Sequence, residues 1–177
     1  MFARFSTKDL ILIATLAGIG IAIKPIVSPL SKMISAPLMI PGGSFAGGFY
    51  MMWLVLAVMI TKKTGAGTLF GFLQALIVLV IGLQGNMGML SLLSYTIPGI
   101  IVDLLYLVMR KRDKLDAHLL LCALANLSGA MVVALLLFRH PLPLAVGIGA
   151  LALASGIIGG FASFGVYRSL REHGLSA

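Results

Sequence analysis

Six stretches of predominantly apolar residues recur along the chain, at about 9–27, 44–61, 66–84, 92–109, 117–138 and 142–167. A helix rises 1.5 Å per residue and the hydrocarbon core of a bilayer is about 30 Å thick, so about 20 such residues carry a chain across. In hydrocarbon the backbone N–H and C=O groups find no water, and a continuous helix bonds them internally. The pattern predicts an all-α, polytopic membrane bundle of six transmembrane helices.

Composition points the same way. The chain is 60% hydrophobic and 10% charged, with a mean hydropathy of +1.11, too few polar residues to coat a water-exposed surface. No soluble linker interrupts the apolar stretches, so 177 residues read as one membrane domain without a separate catalytic module.

A net charge of +8 would suggest nucleic-acid binding in a soluble protein, but here the basic residues fall between apolar stretches, where they set topology. Assigning alternate sides groups Arg4, Lys8, Lys62, Lys63, Arg110, Lys111, Arg112, Lys114, Arg168 and Arg171; only Lys24, Lys32 and Arg139 fall opposite. This bias puts both termini in the cytoplasm and the protein in the cell membrane as a multi-pass component. The basic N-terminus resembles the start of a signal peptide, but the following apolar stretch outruns most such segments and lacks a small-x-small cleavage site; it reads as the first span. The single cysteine, Cys122, excludes an internal disulfide and a multi-thiolate metal site.

The outward segment Ser28–Gly43 contains Pro29, Pro37 and Pro41, yet also Met33, Ile34, Leu38, Met39 and Ile40. So apolar a connection reads as a lid or re-entrant piece folded back on the membrane domain. Small residues recur every fourth position at Ala14, Gly18 and Ala22, at Gly67, Gly71 and Ala75, and at Ala152, Gly156 and Gly160. Such faces let backbones approach closely, either within the chain or against a partner protein.

Catalytic signatures are sparse. Neither Ser44 nor Ser163 stands in a G-x-S-x-G elbow, there is no HExxH or P-loop, and His118, His140 and His173 lack metal-ligand spacing. No enzymatic role, metal site or cofactor is expected. Asp103 is the one acidic residue in the interior of a span, where a charge costs about 2.5–3.5 kcal/mol; it either pairs near a cytoplasmic helix end or serves ion coupling. The remaining polar groups are Tyr50, Trp53, Gln74, Gln84, Asn86, Tyr95 and Asn126, with Lys24 closing the first span. A buried amide without a partner costs a few kcal/mol, so Gln74 and Asn126 must face protein. The set reads either as interhelical ties or as one outward-opening pocket beneath the 28–43 lid.

The six-span pattern, the Ala14-x-x-x-Gly18-x-x-x-Ala22 stripe and the long first outer loop resemble the substrate-binding (S) components of energy-coupling factor transporters. Within that family, Gly48-Phe49-Tyr50-Met51-Met52-Trp53 through Ile60-Thr61-Lys62-Lys63-Thr64-Gly65-Ala66, with Gly82-Leu83-Gln84-Gly85, is similar to the hydroxymethylpyrimidine/thiamine group. That group carries acidic residues in its third span where this chain has Gln74 and Gln84, so a neutral heterocycle, such as a thiamine precursor or another vitamin, suits it better than thiamine. The resemblance implies capture from outside, docking of the Ala14/Gly18/Ala22 face on a transmembrane coupling subunit, and ATP hydrolysis by two partner ATPase subunits. The nickel and cobalt branch uses an N-terminal histidine, and Phe2 stands there instead. Two other readings remain open: a structural or assembly membrane protein without a ligand, and a stand-alone secondary carrier.

Overall fold

The computed structural model describes residues 5–35, 37, 42–82, 90–109 and 114–173. Among these, the regular elements are all helical: α1 (Thr7–Ala22), α2 (Lys24–Ser35), α3 (Gly42–Thr61), α4 (Ala66–Ile81), α5 (Leu90–Val108), α6 (Leu115–Met131), a π-helical continuation of α6 (Val132–Leu137), and α7 (Leu142–Glu172).

The expected first span ends early. Proline 25 has no N–H to return to the preceding turn, so the helix breaks at Ile23 and α2 leaves at 44° to α1. The first part of the expected lid is therefore helix rather than loop. Its faces are inverted relative to a helix on a water-soluble surface: Ser31 and Ser35 are buried, whereas Ile26, Leu30, Met33 and Ile34 are 54–75% exposed. In an apolar solvent that is the stable orientation, since polar groups then seek protein and alkyl groups seek lipid. Residues 38–41 of the expected lid lie outside the described residues.

Helices α3, α5, α6 with its π turn, and α7 are each long and apolar enough to cross a membrane, and the bent α1–α2 pair qualifies as a fifth candidate span. Helix α4 is apolar but holds 16 residues, about 24 Å of rise. It stops at Ile81 because Gly82 turns left-handed at φ 70° and its N–H closes on the Val78 carbonyl. The six apolar stretches thus become four long helices, one bent pair and one short helix. Large side chains such as Ile11, Val80, Leu104, Leu107, Val146 and Ile158 stand exposed around the outside, a surface suited to lipid contact.

Helix α3 is the hub. Residues Leu54–Ile60 are all nearly inaccessible, as expected of a helix that is apolar all round and surrounded by neighbours. It packs along α7, and α7 along α6, while α4 pairs with α5. Two of the small-residue stripes make these contacts. A Cβ on Gly156 would stand 2.5 Å from the Ala123 Cα, and one on Gly67 would stand 2.7 Å from the Gly99 carbonyl oxygen. The third stripe does not pack inside the chain. Ala14 and Ala22 are exposed, and a Cβ on Gly18 would meet nothing within 4 Å; α1 seats Ile13, Ala17, Gly20 and Ile21 inward instead.

One end of the bundle gathers the start of α1, the α3–α4 turn, the end of α5, the start of α6 and the end of α7, where Phe5, Met109, Ala117, Tyr167 and Leu170 share one core. Ser6 and Asp9 form a reciprocal capping box on α1. Asp9 also pairs with Lys63 at 2.6 Å, fixing α1 to the α3–α4 turn. The opposite end carries the α1–α2 corner, the start of α5 and the π turn.

Candidate functional site

The α1–α2 break turns Lys24 inward over the beginning of α5 and the upper half of α3. Its Nζ donates to the Tyr95 hydroxyl, and lies 4.0 Å from the centroid of the Tyr95 ring and 5.1 Å from that of Tyr50. Both rings present electron-rich faces to the cation. The Tyr50 hydroxyl is buried, with the Ser28 side chain of α2 beside it. One turn further along α3 is Trp53, whose indole N–H is buried without an acceptor among the described residues. Gln74 of α4 donates from Nε2 to the Ala17 carbonyl at 3.3 Å. Gly20 makes this arrangement possible: a Cβ there would stand 2.6 Å from Gln74 Nε2 and 3.6 Å from the Trp53 ring.

The structure thus groups four of the residues singled out in the sequence about the end of α1 and its bend: Tyr50 and Tyr95 around Lys24, and Trp53 and Gln74 against Gly20 of α1. Asn126 is elsewhere. Its Nδ2 donates to the carbonyls of Ala152 at 2.8 Å and Ser44 at 3.4 Å, tying α6 to α7 and α3. Its carboxamide fills the space left by Gly47. That is the interhelical-tie reading of this amide rather than the pocket reading. Gln84 and Asn86 lie outside the described residues.

Lys24 and Ser28 are the site residues that sequence reasoning passed over. The signal was present: a lysine followed by proline at the end of an apolar stretch, on the side opposite most of the positive charge. Asp103 has a local task. Its Oδ1 accepts from the Gly67 N–H at 3.0 Å, and its Oδ2 accepts from the Thr68 N–H at 2.7 Å and the Thr68 hydroxyl at 2.6 Å. The N-cap of α4 is Gly65, which has no side chain to offer, so α5 supplies the cap in trans. A carboxylate facing the positive end of a helix is stabilised further by the helix dipole.

His118, fully buried at the start of α6, bonds the Ser163 hydroxyl through Nδ1 at 2.9 Å and packs against the rings of Phe164 and Tyr167. It links α6 to α7 far from the Lys24 cluster. Between α3 and α7 an apolar groove of about 330 Å³ runs past Phe45, Phe49, Leu151 and Ile158. Among the described residues, no three His, Cys, Asp or Glu side chains come together as metal ligands would.

A sequence profile for the family described as "ABC-type cobalt transport system, permease component" matches residues 8–132, from α1 to the end of α6. The chain belongs to this family. It is a membrane component of a transport system, and its all-helical, lipid-compatible architecture fits that role. The family's description names cobalt rather than a vitamin, and it does not specify an S component of the hydroxymethylpyrimidine/thiamine group. No curated protein and no solved structure matches the chain.

Proposed function

We propose that this protein is the substrate-capture component of an energy-coupling-factor-type uptake transporter, taking up a small vitamin-class heterocycle such as a thiamine precursor. The observation that carries the reading is the grouping of Lys24, Tyr50, Trp53, Gln74 and Tyr95 about the α1–α2 bend. Aromatic faces, an amide and a buried indole N–H are the groups with which a protein recognises a planar heteroaromatic molecule. An ammonium, an indole N–H and a hydrogen-bonded amide are poor ligands for a transition metal ion, so an organic substrate suits this cluster better than the cobalt in the family's description. Substrate enters from outside beneath α2, with six membrane crossings and both termini cytoplasmic in the cell membrane. The protein performs no covalent chemistry, and partner ATPases supply the energy.

Docking of the coupling subunit falls to Ala14, Gly18 and Ala22. This stripe is open to the surroundings while its counterparts on α4 and α7 are occupied, and small residues permit the close helix crossing that association in lipid favours. The test is a vitamin panel on the purified full-length protein. A ligand at 100 times its Kd stabilises by about 2.7 kcal/mol, a shift readily read in a melting curve. Gly18→Leu is expected to abolish co-purification of the coupling subunit and ATPases while leaving ligand-induced stabilisation intact. Absence of any ligand shift together with absence of a co-purifying ATPase would return the protein to a structural role. Uptake into liposomes holding this chain alone would instead identify a secondary carrier.

A further inference from the structure

Among the described residues the carboxylates are Asp9, Asp103, Asp116 and Glu172, and all fall in the segments at the end remote from Lys24. Asp9 is engaged by Lys63, Asp103 by the α4 N-terminus and Glu172 by Arg168. The described residues at the other end include Lys24, Lys32 and Arg139, and the sequence holds no carboxylate between Asp9 and Asp103 or between Asp116 and Glu172. Lys24 therefore sits partly buried at an apolar interface, facing a phenol hydroxyl and two ring faces but, among the described residues, no counter-ion.

The cluster is also rich in donors. Lys24 retains N–H bonds beyond the one given to Tyr95. The Trp53 N–H is buried without an acceptor among the described residues. A site with one uncompensated cation and a surplus buried donor is completed by a ligand that brings negative charge and acceptor oxygens.

Building on the capture function proposed above, we infer that the ligand is a planar aromatic monoanion, a heterocycle bearing one carboxylate. The carboxylate pairs with Lys24, and the ring lies against the Tyr50 and Tyr95 side chains that flank it. One lysine balances a single negative charge, so a carboxylate matches it and a phosphate dianion leaves charge over. Within the vitamin class, the site thereby favours acids over neutral precursors.

Trp53 is the only tryptophan of the chain, so its fluorescence reports occupancy directly. The full-length protein in nanodiscs is titrated with matched pairs: nicotinate with nicotinamide, and pyrimidine-5-carboxylate with its carboxamide. Hydroxymethylpyrimidine serves as a neutral probe and pyridoxal phosphate as a phosphate-bearing one. The expected result is Trp53 quenching by at least one carboxylate with an affinity ten-fold or more above that of its carboxamide. Lys24→Met should erase that preference and Lys24→Arg should keep it, while both variants retain the melting transition of a folded protein. Equal or tighter binding of the carboxamides, of hydroxymethylpyrimidine or of the phosphate overturns the monoanion proposal and leaves the capture function standing. A carboxylate preference that survives Lys24→Met also overturns it. Silence across the whole panel overturns both.

Discussion

The two ends of this bundle handle charge in opposite ways. At the end that gathers the α3–α4 turn, three carboxylates are engaged within the chain: Asp103 caps α4, Asp9 both caps α1 and holds Lys63, and Glu172 pairs with Arg168. At the other end, among the described residues, Lys24 is met by a hydroxyl and by ring faces. Electrostatics completed inside the chain stabilise the fold, whereas an unanswered charge leaves free energy for something that arrives later. Under the proposed capture function, the first end serves as scaffold and the second as receptor.

The largest expected effect breaks the scaffold end. Asp103→Ala would strip acceptors from two backbone N–H groups and a hydroxyl at a buried helix start, and each such group left unsatisfied costs about 1–3 kcal/mol. A loss of about 3 kcal/mol in thermal unfolding is expected, and Asp103→Asn, which retains one acceptor oxygen, should lose about half of it. Ligand binding measured well below the new melting temperature should be unchanged. If Asp103→Asn left stability intact but abolished transport, the carboxylate would serve ion coupling instead of capping.

The next effect, of opposite sign, belongs to the receptor end. Lys24→Met removes a partly buried charge whose desolvation is offset by a hydrogen bond and by cation–π contacts worth about 0.5–2 kcal/mol, and replaces it with an alkyl chain of similar length. Removing a charge that lacks a counter-ion typically relieves more than such contacts contribute. The ligand-free protein should therefore become about 1 kcal/mol more stable, read as a rise in melting temperature. A fall of that size would mean that Lys24 acts as structural glue between α2, α3 and α5, and the contrast between the two ends would disappear.

Much of this was legible in the chain itself, and what was not has physical causes. Apolar length alone located α1 and α3–α7 to within about five residues, because hydrocarbon imposes so strict a requirement on the backbone, but it left α2 unrecognised as a helix. Their ends shifted where local chemistry intervened, at Pro25 and at Gly82. Tyr50, Trp53, Gln74 and Tyr95 were recognisable as candidates since polar side chains in apolar spans are costly. Which of them meet depends on helix rotation, which a sequence of nearly uniform hydrophobicity leaves undetermined; α3 is apolar on every side, and Asn126 turned out to serve Ser44 and Ala152. The three small-residue stripes look alike in sequence, and only packing distinguishes the two that are filled from the one on α1 that is open. Lys24 was read as a topology marker because a charge at a span end is ordinarily one; its role emerges from the bend that carries it inward.

The smallest effect sharpens the comparison from the scaffold side. The Asp9 and Lys63 side chains retain 18% and 27% of their exposure, so water and salt screen the pair, and exposed ion pairs contribute about 0.2–1 kcal/mol. Asp9 also accepts from the Ser6 backbone N–H at 2.7 Å, and an amide oxygen could keep that bond. Asp9→Asn should therefore cost about 0.5 kcal/mol, with a difference from the parent protein that shrinks as ionic strength rises through the range where the Debye length falls below about 10 Å. The salt dependence is the discriminating measurement. Carboxylate binding at Lys24 should weaken with salt in both proteins alike, since the two charges lie at opposite ends of the bundle. If Asp9→Asn altered that binding, the ends would be electrostatically coupled and the division into scaffold and receptor would fail.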